Sequence, residues 1–127
     1  MESRQGFTFV SDTAAGILAA GLSDRAVGQT INLGSGKEIT ISRLAAMIAE
    51  VMGRDDAEIN YAEHRPGDVV RLLSDSSKAQ EFFGFKQRVS LRDGLACLRN
   101  WYASQNKSVD DLLQEEVLFN WERNTRK

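Results

Sequence analysis

Gln29-Thr30-Ile31-Asn32-Leu33, then Gly34-Ser35-Gly36, then Ile41, Leu44, Ala45, Ile48, Ala49 and Met52 at helical spacing up to Gly53, is the stretch that decides the fold class. The first run is β-branched and apolar, which fits a pleated strand, and the glycines stop it. Thr40 stands where a side-chain oxygen can cap the helix that follows, and Gly53 stands where a left-handed C-terminal cap is expected. Ala57-Glu58-Ile59-Asn60-Tyr61 reads as a further strand, so residues 29–61 form a strand–helix–strand unit. Such units close as right-handed parallel crossovers.

Working outward, Phe7-Thr8-Phe9-Val10 reads as a strand, and Ser11 or Asp12 as the cap of a helix with Ala14, Ile17, Leu18, Gly21 and Leu22 on one face. Beyond Pro66, Val69 to Ser74 ends in a short strand. Asp75 caps a brief helix closed by Gly84, and Ser90-Leu91-Arg92-Asp93 resembles a capping box with Asp in place of Glu. Ser108 opens a last amphipathic helix with Val109, Leu112, Leu113, Val117 and Trp121. The expected fold is α/β: a small domain with a parallel strand–helix–strand unit, a second short strand pair and four to five helices.

Bulk composition narrows the function. The 127 residues suffice for one domain with a core, and 42% hydrophobic with 27% charged residues is ordinary globular composition. A net charge of −2 gives no general attraction to nucleic acid or an anionic membrane. No apolar run is long enough to span a bilayer and none resembles a signal peptide, so a soluble cytoplasmic protein is expected. Cys97 is the one cysteine and His64 the one histidine, which excludes an intrachain disulfide and a Cys/His zinc cluster. Between Leu95, Ala96 and Leu98, Cys97 reads as a small buried thiol.

Two motif readings fail on spacing. Gly34-Ser35-Gly36-Lys37 has Ile31 and Glu38 where a Walker loop needs Gly and Ser or Thr, and Ile39 where a dinucleotide fingerprint needs its third glycine. It reads as a tight turn. A short-chain dehydrogenase tyrosine needs a lysine four residues on; Tyr61 is followed there by Arg65 and Tyr102 by Asn106. The segment His64-Arg65-Pro66-Gly67-Asp68 is more informative. Pro66-Gly67 makes a stiff turn able to hold Arg65 and Asp68 on one side. Arg65 can grip a diphosphate as a two-pronged donor and Asp68 can accept from a sugar hydroxyl. An exposed ion pair on a surface turn is the bland alternative.

Taken in order, Phe7 to Ala14, Ile31 to Gly36, Arg65-Pro66-Gly67-Asp68, Asp75-Ser76-Ser77-Lys78-Ala79, Phe83-Gly84-Phe85 and Val89 to Leu95 resemble the C-terminal third of extended short-chain dehydrogenases. These are the NAD-dependent nucleotide-sugar epimerases and dehydratases, and the likeness covers about residues 4–103. It implies that Arg65 contacts the diphosphate and Asp68 the nucleoside sugar. The family's further phosphate arginine stands just before the first strand, where this chain has Gln5-Gly6. Arg4 is displaced by one residue, which in a strand turns a side chain to the other face. Arg4 is therefore a candidate from the opposite face.

The family's cofactor fold and Tyr/Lys pair lie upstream, so this chain alone is expected to bind no NAD and to be inactive alone, either a truncated piece or a gene for the substrate-binding part. Residues 1–103 form the sugar-nucleotide-binding unit and 104–127 an additional helical tail. The strand at 29–33 would pair with a cofactor domain. Without it, that edge and an apolar helix face would stand exposed, to be covered by a cofactor-domain partner or by homodimer formation. A non-enzymatic interaction protein that kept the fold and lost the site is the alternative.

Overall fold

The computed structural model describes residues 2–61 and 67–115. A three-stranded mixed sheet, β1 (Arg4–Gln5), β2 (Ile39–Thr40) and β3 (Arg71–Leu72), carries five helices: α1 (Val10–Gly21), α2 (Ile41–Met52), α3 (Ser77–Phe83), α4 (Leu91–Ala103) and α5 (Val109–Glu115). β1 lies in the middle, antiparallel to β2 and parallel to β3. The α/β expectation holds. The parallel pair, however, joins the N-terminal segment to the strand beyond Gly67.

Residues 7–10, 29–33 and 57–61 carry no strand ladder among the described residues. For 7–10 the reason is local: α1 starts at Val10, with Phe9 as its N-cap in extended conformation and no side-chain cap. For 29–33 the reason is a missing neighbour. No described strand lies beside Thr30 to Leu33, and a propensity for extended backbone cannot make a ladder alone.

Asp12, read from sequence as a cap, does something else. It is only 3% exposed, and one oxygen of its carboxylate accepts from the backbone N–H groups of Arg88 and Val89, both at 3.0 Å. That clasp draws residues 84–90 onto α1. Phe85 follows it into the core, lying against Gly16, where an added Cβ would stand 2.9 Å from the ring and 3.0 Å from Leu33. Ala79 of α3 is fully buried beside this layer.

Other local expectations hold. Thr40 Oγ1 accepts from Arg43 N–H at 3.2 Å, and Ser90 Oγ accepts from Asp93 N–H at 3.1 Å. In the latter box the short aspartate takes the Ser90 hydroxyl, at 2.5 Å. Ser108 and Asp111 form the full reciprocal box at the start of α5. Gly53 and Gly84 close α2 and α3 with φ of 67° and 68°, which a side chain would resist. Asp75 acts one residue earlier than expected, accepting from Ser77 N–H at 2.9 Å ahead of the Ser76 N-cap. The Val117 and Trp121 positions lie outside the described residues.

α2 packs on α4, but not along the stripe's expected centre. Val51 is the buried residue, whereas Ile41, Ile48 and Met52 stay substantially exposed. Polar contacts lock the pair: Arg99 Nη1 donates to the Val51 carbonyl at 2.8 Å, and Glu50 accepts from Arg43 and Arg92. Cys97 is exposed, correcting the buried expectation. α4 buries Gly94 against Phe9, and Cys97 lies about 200° around the helix from half-buried Leu95.

The apolar face of α1 is outward. Val10, Ile17, Leu18 and Leu22 are 62–79% exposed, and Val27 beyond the helix is equally bare. The inward face is made of Asp12 and Gly16. Asp12→Ala is expected to lower unfolding free energy by about 2–4 kcal/mol, because two backbone N–H groups lose a charged acceptor. Chemical denaturation checks it; a loss below about 0.5 kcal/mol, the scale of ordinary surface substitutions, contradicts the clasp.

Candidate functional site

The parallel pairing of β1 with β3 makes the site. Arg4 N–H donates to the Val70 carbonyl at 2.9 Å and Gly6 N–H to the Leu72 carbonyl at 2.8 Å. Gly6 has no side chain because the Lys37 carbonyl would lie 3.1 Å from a Cβ there. The N-terminal segment, the turn after Leu33 and the strand after Gly67 thereby converge on an open groove of about 380 Å3. Gly6, Thr8, Asn32, Leu33, Gly34, Ser35, Leu72, Leu73 and Ser74 line it.

Its polar groups divide into two sets. Ser35 Oγ is spent on its own turn, accepting from Lys37 N–H at 3.3 Å and donating to the Lys37 carbonyl at 3.1 Å. Ser76 Oγ, just beyond the groove, donates to the Gly34 carbonyl at 3.0 Å. By contrast, the side chains of Thr8, Asn32 and Ser74 make no hydrogen bond among the described residues. Hydroxyl and amide groups so placed suit a ligand rich in hydroxyls. The sequence reading passed over these three. Asn32 carried a signal, because an uncommitted Asn inside a β-branched run gains nothing as strand.

Of the sequence-derived site residues, Asp68 is exposed and sits just after Gly67, whose φ is 85°. Leu72 of the groove is the fourth residue on, no more than about 14 Å of chain away. Arg65, with His64 and Pro66, lies outside the described residues. Arg4 is opposite Arg71 in register. Like charges facing across strands repel, and Glu38 offsets this: it accepts from Arg71 Nε at 2.7 Å and pairs with Arg4 at 3.7 Å. The hydrogen bond from Arg71 holds the Glu38 carboxyl below the ordinary glutamate range, against a smaller opposing effect of partial burial. The Asp75 carboxyl is likewise lowered, by the Ser77 N–H.

The turn at 34–37 does not fit a dinucleotide. A Cβ on Gly34 would meet Ser74 Cβ at 2.5 Å, so that glycine serves packing and opens no cradle for a pyrophosphate. Tyr61 and Tyr102 have no lysine at the required offset. Among the described residues there is no cluster that would hold a metal ion, and no helix is long and apolar enough to cross a membrane.

No family model matches the chain. Individual proteins do. It is 36% identical over 93 residues to a dTDP-glucose 4,6-dehydratase of Streptomyces griseus, covering 73% of this chain and 28% of that protein. It is 37% identical over 97 residues to a probable GDP-L-fucose synthase of Oryza sativa subsp. japonica, covering 76% and 28%. Among solved structures, an epimerase from Methanothermobacter thermautotrophicus superposes with a TM-score of 0.78 at 31% identity, over 91% of this chain and 33% of the other. A UDP-glucose 4-epimerase from Thermotoga maritima, solved with UDP-glucose, gives 0.72 at 29% identity, over 80% and 32%. The chain thus spans between a quarter and a third of the length of its relatives.

Folding lowers the Glu38 pKa, so this carboxylate stabilises the fold above the ordinary glutamate range, and that contribution is lost as pH falls through the depressed midpoint. Carboxyl-detected NMR titration is expected to show Glu38 below the ordinary range in the native chain and near it in Arg71→Ala. An unmoved midpoint contradicts the Arg71 assignment.

Proposed function

The chain belongs to the extended short-chain dehydrogenase family of NAD-dependent nucleotide-sugar epimerases and dehydratases, and on that premise we propose that it is the part that binds the nucleoside-diphosphate sugar, without hydride chemistry of its own. The observation that carries this is the groove: three uncommitted polar side chains, Thr8, Asn32 and Ser74, beside the strand that follows Gly67 and Asp68. Arg65 grips the diphosphate as a two-pronged donor, and Asp68 accepts from the nucleoside sugar. Arg4, committed to Glu38 beside Arg71, is at most a peripheral cation.

Hydride and proton transfer need groups absent from this sequence, so turnover requires a cofactor domain. Its docking surface is the bare apolar face of α1 together with residues 29–33, whose backbone has no ladder partner among the described residues. When no cofactor domain is present, a second copy covers the same face. Light scattering of the purified chain is expected to show dimers that Leu18→Glu disperses; a monomer at high concentration counts against this.

Titration calorimetry with UDP-, GDP- and dTDP-sugars tests the main reading. At least one is expected to bind, weakened about tenfold to a hundredfold by Arg65→Ala, the range for a lost charge-assisted hydrogen bond. No binding by any of them at millimolar concentration would favour an interaction protein that kept only the fold. Turnover of a sugar nucleotide by the chain alone, with or without NAD, would refute the missing-chemistry claim.

A further inference from the structure

A separate cleft of about 260 Å3 opens between the N-terminal segment and α4, and its walls are apolar: Phe7, Phe9, Val10, Leu91, Leu95 and Leu98. Its polar members are mostly committed. Gln87 Nε2 donates to the Val89 carbonyl at 2.8 Å and Ser90 caps α4, which leaves Thr8, a residue that also lines the ligand groove. Such a cleft suits an apolar side chain and offers a polar ligand little. From it the apolar surface runs on along α4. Leu91, Leu95, Leu98 and Tyr102 follow at four-, three- and four-residue spacing, which puts them on one face. Leu98 is 48% and Tyr102 45% exposed.

At the end of that stripe the chain turns. Five residues, 104–108, separate α4 from α5, a length common between antiparallel helices. α5 has little support: it is seven residues long, Leu112 is only half-buried and Leu113 is 63% exposed. A helix that short is marginal by itself in water. The sequence beyond the described residues continues Val117-Leu118-Phe119-Asn120-Trp121, apolar at four of five positions. The lengths match as well. Twelve helical steps from Val109 to Trp121 span about 18 Å, as do the twelve from Ala103 back to Leu91.

We propose that the C-terminal tail, residues 116–127, folds back in the same molecule as an intramolecular cover for this cleft. Trp121 fills the space between Phe7, Phe9 and Leu95, and α5 returns along the Leu98–Tyr102 stripe. The occupant is the chain's own tail because the stripe begins at the tail's root. A tether this short gives an effective concentration on the order of millimolar, which a second copy in dilute solution does not match. This inference uses neither the ligand groove nor the Arg65–Asp68 turn.

Trp101→Phe leaves Trp121 as the one tryptophan of the full chain. Its fluorescence is expected to be blue-shifted, and its quenching by iodide about tenfold weaker than in a free peptide of residues 116–127, as burial of one large aromatic side chain implies. Adding Leu98→Glu, at a position already half exposed, is expected to restore quenching while far-UV circular dichroism stays unchanged. In the unsubstituted labelled chain, the Trp121 indole is expected to show NOEs to the methyl groups of Leu95 or Leu98, a readout that needs no variant to fold. Quenching equal to that of the free peptide overturns the proposal. So does protection that survives Leu98→Glu, or indole NOEs to Ile17 and Leu18 instead, either of which places the tail elsewhere. Protection lost on dilution also overturns it, assigning the cleft to a second copy.

Discussion

One buried carboxylate organises the described part of the chain. Asp12 stands in the first turn of α1, yet its partners are the N–H groups of Arg88 and Val89, more than seventy residues away. A carboxylate taken out of water is tolerated only when hydrogen bonds replace its hydration, and here two backbone donors do so. The geometric consequences run in both directions along the chain. Upstream, Phe85 is pressed into the notch at Gly16. Downstream, Ser90 is delivered as the cap of α4, which then packs on α2.

The small sheet performs a second task with very few residues. Two-residue strands are too short to be a core, and most of the burial is done by helices and loops. Their role is registration: β1 holds β3, and so brings the strand leaving Gly67 alongside Gly6 and Thr8. Without that pairing the groove would have only one wall. Among the described residues the apolar face of α1 points outward, while several polar bonds are spent on positioning the groove.

Much of this was legible in the sequence where the determinant is local. Thr40, Ser90 and Ser108 as caps, and Gly53 and Gly84 as terminators, are decided by a side chain or a φ angle within one turn of the site. Asp12 was misread for the same reason inverted: its short range looks like a cap, and its true partners lie beyond any local pattern. Residues 29–33 carry strand composition, but a strand is a relation between two segments, and its partner is not in the described structure. Cys97 shows the limit of neighbourhood reasoning, since apolar neighbours in sequence lie around the whole helix. For the candidate site, the motif names Asp68 and Arg4 as candidates outside the groove lining, whereas Thr8, Asn32 and Ser74 emerge only once three segments meet in space.

The central claim is that these three segments form the ligand groove, and mapping by amide NMR tests it most directly. On adding UDP-glucose to the isotope-labelled chain, the account predicts saturable shift changes concentrated at Thr8, Asn32, Ser35 and Ser74 and around Asp68, with α5 unmoved. Changes centred instead on the apolar face of α1 or on α4, or none at all at millimolar ligand, would contradict it.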